Sequence, residues 1–128
     1  MRNFFLTLTI ISLLFNCNIT ANSSFQDINS DELETFIDKK YVKLIDVRTP
    51  NEYNTGHIKT AINIDYYDED FDSKINKLDK SKPIVFYCKS GGRSSKSASK
   101  LIQNGFKEIY NLEGGIDKWI LNGKEILD

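Results

Sequence analysis

An apolar run that leads into a glycine-rich cationic loop gives the clearest indication of the fold, and it has the sequence Pro83-Ile84-Val85-Phe86-Tyr87-Cys88-Lys89-Ser90-Gly91-Gly92-Arg93-Ser94. The continuous apolar stretch Ile84–Tyr87 predicts a strand covered on both faces, which is typical of a parallel sheet. A helical pattern follows over residues 94–104, with a glycine at position 105 to end it. Cys88 therefore lies at the carboxyl end of a buried strand, where α/β sheets bind their ligands.

Further strands and helices alternate along the rest of the chain. Strands are predicted over residues 41–47, 61–64 and 108–112, and helices over residues 31–39, 68–78 and 115–121. Residues 22–26 are interpreted as a polar leader, Ser30 as the cap of the first helix, and Thr49-Pro50 as the break after the strand 41–47. The alternation predicts an α/β fold built on a parallel sheet. Phe86 and Trp119 are assigned to the core.

The loop after Cys88 predicts a nucleophilic thiolate. Its backbone N–H groups, with a helix N-terminus behind them, would form a ring around the sulfur that favours anions and hence thiolate over thiol. Gly91 and Gly92 would let the backbone curl with positive φ. Lys89 and Arg93 would attract an anionic substrate, and the planar fork of Arg93 suits sulfonate-type oxygens. For Lys89 the alternative of a solvated loop charge stays open.

Three blocks of the sequence together resemble the motifs of rhodanese-homology domains. The blocks are Leu44-Ile45-Asp46-Val47-Arg48-Thr49-Pro50-Asn51-Glu52-Tyr53 with Gly56-His57-Ile58-Lys59-Thr60-Ala61-Ile62-Asn63-Ile64, then Cys88-Lys89-Ser90-Gly91-Gly92-Arg93-Ser94, and finally Leu112-Glu113-Gly114-Gly115 followed by Trp119. They occur in the order found in the family and span nearly all of residues 22–128. Each block alone is a weak signal, but the three together are specific.

The resemblance implies a fold and an activity. The fold would be a single rhodanese-like domain over residues 22–128, with a five-stranded parallel sheet flanked by helices on both faces. The activity would be transfer of sulfane sulfur from thiosulfate or a related donor to a thiol or cyanide acceptor, through a persulfide on Cys88. The substrate-binding residues implied are Lys89, Ser90, Gly91, Gly92, Arg93 and Ser94.

Two other functions remain open at this stage. One is a module that holds a persulfide, or serves as a redox partner, without efficient turnover. The other is a small cysteine phosphatase. Such phosphatases place five residues between cysteine and arginine, whereas four residues separate Cys88 from Arg93 here. The shorter loop favours sulfur, since a tighter ring suits one sulfur atom better than a phosphoryl group.

Residues upstream of the loop receive structural roles. Arg48 and Glu52, four apart, predict an ion pair at the sheet edge, with catalytic roles for Asp46 and Arg48 as the alternative. Asp46, at a strand end, is expected to hold the active-site loop by accepting N–H groups. His57 is the single histidine and is assigned a structural role in a turn. With one histidine, and with Cys88 the single cysteine after residue 21, no metal site or other cofactor is expected.

The N-terminus resembles a secretory signal. Arg2 is the only charged residue before Asp27, and residues 4–15 are largely apolar. A membrane anchor is the alternative, but this stretch is shorter than the roughly 20 residues that span a bilayer. Cleavage after Ala21 would release the protein, whereas cleavage before Cys17 would leave a lipid-anchored lipoprotein. Both routes predict a periplasmic or cell-envelope location.

Length and charge limit the remaining function classes. The chain has 128 residues, which suits one domain. Its formal net charge of −1 argues against nucleic-acid binding, which requires a basic face. Loss of residues 1–21 would remove Cys17, so no intramolecular disulfide is expected in the processed chain.

Overall fold

The computed structural model describes residues 24–128, which form five strands and five helices. In chain order they are β1 Gln26–Ile28, α1 Ser30–Asp38, β2 Lys43–Asp46, α2 Pro50–Asn54, β3 Ile62–Asn63, α3 Phe71–Asn76, β4 Ile84–Tyr87, α4 Gly92–Leu101, β5 Ile109–Leu112 and α5 Gly115–Leu121. The expected signal peptide and Cys17 lie outside the described residues. None of the helices within residues 24–128 has the length and apolar character that would span a membrane.

All five strands form one parallel sheet in the order β1-β5-β4-β2-β3. The central strand β4 pairs with β2, where Ile45 lies opposite Phe86, and with β5, where Asn111 lies opposite Phe86. Helices cover both faces of the sheet. The predicted five-stranded parallel sheet flanked by helices is therefore confirmed. Because β4 is central, its carboxyl end and Cys88 are enclosed by neighbouring strands and loops on both sides.

Alternation along β4 divides the core into two layers. Ile84, Phe86 and Cys88 face the layer that contains α3 and α4. Val85 and Tyr87 face the opposite layer, which contains α1 and α5. All four residues of β4 are fully buried, which explains why its sequence is continuously apolar. The Cys88 side chain is consequently directed toward the α4 side of the sheet.

Two elements were not predicted from the sequence. β1 begins at Gln26, the last residue of the stretch interpreted as a polar leader, and pairs with β5 at the sheet edge. α2 begins at Pro50, where a break was expected. Thr49 caps it by accepting from the backbone N–H of Glu52, whose side chain accepts in turn from the Thr49 N–H. Proline suits the first helical position because the N–H it lacks would have no partner there.

Several element ends also differ from the prediction. α1 begins one residue earlier, because Asn29 rather than Ser30 forms its cap. α3 is confined to the central part of the predicted helix 68–78. α4 begins at Gly92 instead of Ser94, which places the second half of the active-site loop inside the first helical turn. Gly92, Arg93 and Ser94 therefore belong both to this loop and to the first turn of α4.

Candidate active site

The Cys88 sulfur lies at the base of the loop between β4 and α4. The residue is 2% exposed. The Gly91 N–H donates to its sulfur at 3.1 Å, and the Ser94 hydroxyl oxygen lies 3.4 Å from the sulfur. The same hydroxyl lies 3.1 Å from the Gly91 carbonyl oxygen. Ser94 can thus donate to the backbone when the sulfur is protonated and to the sulfur when it is a thiolate.

The loop lowers the pKa of Cys88 despite its burial. Burial alone would raise this pKa because it disfavours the charged thiolate. Hydrogen bonds from the Ser94 side chain and from the backbone N–H groups of Ser94, Gly91 and Ser90 together outweigh the effect of burial. The pKa of Cys88 therefore lies below its ordinary value. The predicted ring of donors is therefore present at the sulfur, and it stabilises the nucleophilic form.

The two loop glycines have different conformations, which corrects the expectation that both need positive φ. Gly91 has φ of +112° and caps α4, so its conformation disfavours any side chain. Gly92 is the first residue of α4 and does not have a positive φ. A Cβ on Gly92 would have no atom within 4 Å, so this glycine leaves open space beside the loop.

The start of α5 fixes the first half of the loop. The Ile116 N–H donates to the Cys88 carbonyl at 2.9 Å, and the Asp117 N–H donates to the Lys89 carbonyl at 3.1 Å. Gly115, with φ of +60°, lies directly against the same backbone. These contacts give the Gly114-Gly115 block a physical role, since it brings helix donors up to the carbonyl groups of Cys88 and Lys89.

Arg93 does not present a free fork to the loop. Its Nη1 and Nη2 donate to Oε2 and Oε1 of Glu52 at 2.8 and 2.9 Å, which is a bidentate pair. The Arg93 Cζ also lies 5.8 Å from the centre of the exposed Tyr67 ring. The predicted Arg48–Glu52 ion pair is therefore wrong, because Glu52 belongs to α2 and reaches the first turn of α4.

Arg48 instead pairs with Asp46 in the interior. Arg48 Nη2 lies 2.7 Å from Asp46 Oδ2 and donates to the Gly56 carbonyl at 2.7 Å. The Asp46 carboxylate also accepts the backbone N–H of Arg48 at 2.9 Å. The expectation that Asp46 accepts N–H groups of the active-site loop is thus wrong. The carboxylate binds the side chain and backbone of Arg48 and closes the turn after β2.

The other predicted positions have simple surroundings. Lys89 is exposed, and its Nζ lies 2.6 Å from Asp117 Oδ2. His57 stacks on Tyr53 with ring centres 3.9 Å apart, and its backbone pairs with that of Leu127. These contacts suit the structural role assigned to His57. Ser90 is exposed at the outer side of the loop.

Comparison with known proteins defines the family to which the chain belongs. A family model for the rhodanese-like domain matches residues 29–122, so the chain belongs to the rhodanese-like domain family. The thiosulfate sulfurtransferase GlpE of Shewanella oneidensis is 33% identical over 97 residues, which cover 76% of this chain and 94% of that protein. A tRNA uridine(34) hydroxylase of Yersinia pestis is 34% identical over 102 residues, which cover 77% of this chain and 29% of that protein.

A solved structure supports the same conclusion. The crystal structure of a rhodanese-related protein from Thermoplasma volcanium is 32% identical and superposes with a TM-score of 0.72, covering 80% of this chain and 98% of that one. The resemblance inferred from the three sequence blocks is confirmed.

Two residues at the site were not identified from the sequence. Spacing paired Glu52 with Arg48, and no pattern pointed to Asp117. The signal for Glu52 was present, because threonine followed three residues later by glutamate is a capping box. That motif places the Glu52 carboxylate at the N-terminus of α2. No comparable local signal marks Asp117, since its proximity to Lys89 depends on how α5 packs against the loop.

Proposed function

We propose that the protein is a sulfurtransferase that moves sulfane sulfur through a persulfide on Cys88. The observation that carries the proposal is the position of the Cys88 sulfur, buried at the end of β4 and surrounded by donors from Gly91 and Ser94. The kinship with a protein named thiosulfate sulfurtransferase supports the same reaction class.

The proposed reaction has two steps. The Cys88 thiolate attacks the outer sulfur of thiosulfate, the sulfur–sulfur bond breaks, and sulfite leaves with the bonding electrons. The product Cys88–S–S⁻ carries one negative charge on its outer sulfur. A thiophilic acceptor such as cyanide or a thiolate then attacks that sulfur and regenerates the Cys88 thiolate. Cyanide would leave as thiocyanate, and a thiolate as a persulfide.

The loop is suited to both charged states. Gly91 and Ser94 donate to the sulfur of the free enzyme, so the donors are already oriented before substrate arrives. The N-terminus of α4, a helix of ten residues, lies directly behind them. The same field would stabilise the anionic persulfide without any movement of the loop.

The test is the intact mass of the purified protein before and after thiosulfate. Wild type should gain the mass of one sulfur atom and lose it again on addition of cyanide, with thiocyanate released in repeated turnover. Cys88→Ser should stay folded and gain nothing, because an alcohol cannot form a persulfide. A folded Cys88→Ser variant with substantial activity would contradict the assignment. A stable persulfide without turnover would instead support a sulfur-carrier role.

We also propose that residues 1–21 direct the protein to the cell envelope. The support is the charged and then apolar pattern of this segment. Expression of the full chain in a Gram-negative host and mass analysis of the N-terminus test this. A start near Asn22 indicates soluble release, and a lipid on Cys17 indicates a lipoprotein. An intact Met1 on cytosolic protein would rule out export.

A further inference from the structure

Both cations at the rim of the candidate active site are already paired with acids. Arg93 forms its bidentate pair with Glu52, and Lys89 lies 2.6 Å from Asp117. Each pair is neutral as a whole. The rim therefore adds little net positive charge to the attraction of anions, and that attraction comes mainly from the backbone N–H groups of the loop.

The Glu52 carboxylate is held firmly in its position. Its Oε2 accepts from the backbone N–H and hydroxyl of Thr49 at 2.9 and 3.0 Å, in addition to Arg93. Hydrogen bonding from Arg93 lowers the pKa of Glu52 to about 2, so the group is charged at neutral pH. An anionic substrate that required the Arg93 fork would have to displace a carboxylate that belongs to the helix cap of α2.

The two pairs differ in their exposure to solvent. The side chains of Arg93 and Glu52 are 19% and 32% exposed, whereas those of Lys89 and Asp117 are 63% and 50% exposed. Water and salt screen the Lys89–Asp117 pair more strongly. The charges of the Arg93–Glu52 pair are therefore screened less than those of the Lys89–Asp117 pair, and Asp117 provides an internal comparison.

We infer that Glu52 is a specificity-determining residue that disfavours dianionic sulfur donors relative to donors with one negative charge. This inference rests on the proposed sulfurtransferase function. Thiosulfate would transfer sulfur to Cys88 and release sulfite, both of them dianions. An organic thiosulfonate would transfer the same outer sulfur and release a sulfinate, both of them monoanions. The persulfide formed on Cys88 is identical in the two reactions, so only the charge of donor and leaving group differs.

The experiment compares thiosulfate with benzenethiosulfonate in wild type and in Glu52→Gln. Glutamine keeps the size of the side chain and an oxygen that can accept from Thr49. The Coulomb energy between Glu52 and the donor is proportional to the charge of the donor. Removal of the Glu52 charge should therefore raise kcat/KM about tenfold for the dianion thiosulfate and about threefold for the monoanion benzenethiosulfonate. Asp117→Asn should cause a smaller change in the same direction.

A series of variants separates charge from structure. Arg93→Gln leaves Glu52 unpaired and should lower the thiosulfate to benzenethiosulfonate ratio of kcat/KM. The double variant with Glu52→Gln restores neutrality and should return that ratio close to the wild-type value. Asp72→Asn, which removes an acid paired with Lys100 near the far end of α4, should leave the ratio unchanged. The ratio is informative because loss of folding would lower both activities together.

Each outcome decides between alternatives. An increase in the ratio for Glu52→Gln supports the inference. If that variant fails to fold, recovery of the lowered Arg93→Gln ratio in the double variant with Glu52→Gln supports it instead. Equal changes for both donors, or a lower melting temperature with an unchanged ratio, would show a merely structural role and overturn it. If wild type forms no persulfide with either donor, the proposed function itself fails. Persulfide formation with a ratio insensitive to Glu52 would overturn only the specificity role.

Discussion

Gly115 lies so close to Lys89 that a Cβ on the glycine would be 2.4 Å from the Lys89 carbonyl oxygen. The Cys88 carbonyl oxygen would be 2.5 Å away, and both atoms belong to the backbone. The contact couples the start of α5 to the backbone of Cys88 and Lys89 through atoms that cannot rotate away. A side chain at this position must therefore displace either α5 or the loop.

The first prediction is that Gly115→Ala lowers the rate of sulfur transfer more than the backbone strain of an alanine at positive φ would on its own. Gly123→Ala is the matched control, because Gly123 also has positive φ but a Cβ added there would meet no atom within 4 Å. Gly123→Ala should cost about 1–2 kcal/mol of stability from backbone strain alone, with activity retained. Gly115→Ala should cost more and should lower kcat/KM at least tenfold. Denaturant unfolding and steady-state kinetics measure the two effects, and equal behaviour of the variants would contradict the coupling.

The second prediction concerns the hydroxyl of Ser94. Ser94→Ala removes a donor to the thiolate, so the pKa of Cys88 should rise. Thiolate formation, and with it kcat/KM, increases with pH, so the rising limb of the pH–rate profile should move to higher pH. On the acidic side of that limb the rate should fall by roughly tenfold, since a hydrogen bond to a charged group contributes about 1.5 kcal/mol or more. The pH dependence of thiol alkylation by iodoacetamide measures the same pKa directly.

Ser97→Ala provides the control for Ser94→Ala. Ser97 is equally buried on α4, but its hydroxyl donates to the Arg93 carbonyl at 2.7 Å instead of facing the sulfur. Its loss should alter stability without moving the pH–rate profile. If both variants move the profile by the same amount, Ser94 acts through the packing of α4 and not through the thiolate.

The parts of the site that were predictable are those encoded locally. Cys88 follows a fully apolar strand, and its loop passes into a helix, so the donor ring follows from adjacent residues. The Arg48–Glu52 prediction was wrong because spacing of four applies to a continuous helix, whereas Arg48 precedes the cap of α2. The partners Arg93 and Glu52 are 41 residues apart, and only the packing of α2 beside α4 brings them together.

Similar reasons explain the elements that the prediction omitted. β1 has two exposed residues and one buried residue, Ile28, so its sequence lacks the apolar character of an inner strand. It is held at the sheet edge by pairing with β5 and by a hydrogen bond from Asn111 to Asp27 at 2.8 Å. Such an edge strand depends on tertiary contacts, which cannot be recognised from the sequence of its own three residues.

The third prediction is that the Asp46–Arg48 pair is required for stability. Asp46 is 0% and Arg48 is 5% exposed. Asp46→Asn would leave the guanidinium charge buried without its counterion, which costs about 3–5 kcal/mol. Asp72→Asn, which breaks an exposed pair with Lys100, should cost about 1 kcal/mol or less. Urea unfolding at neutral pH measures both. A loss below about 1 kcal/mol for Asp46→Asn would show that the buried pair contributes little.

The last prediction is a pH dependence that arises from Glu52. Hydrogen bonding from Arg93 lowers its pKa from 4.5 to about 2, so folding favours the charged carboxylate. A group with a depressed pKa in the folded state contributes its full stabilisation above the unfolded pKa and loses it as pH falls through the folded pKa. The contribution should therefore be complete above pH of about 4.5 and should vanish as pH approaches about 2.

Glu52→Gln mimics the protonated carboxyl and cannot titrate. Urea unfolding of both proteins should show wild type more stable at neutral pH, with the difference decreasing steadily below pH of about 4.5. A difference that stays constant down to pH of about 2 would mean that the Arg93–Glu52 pair does not depress this pKa.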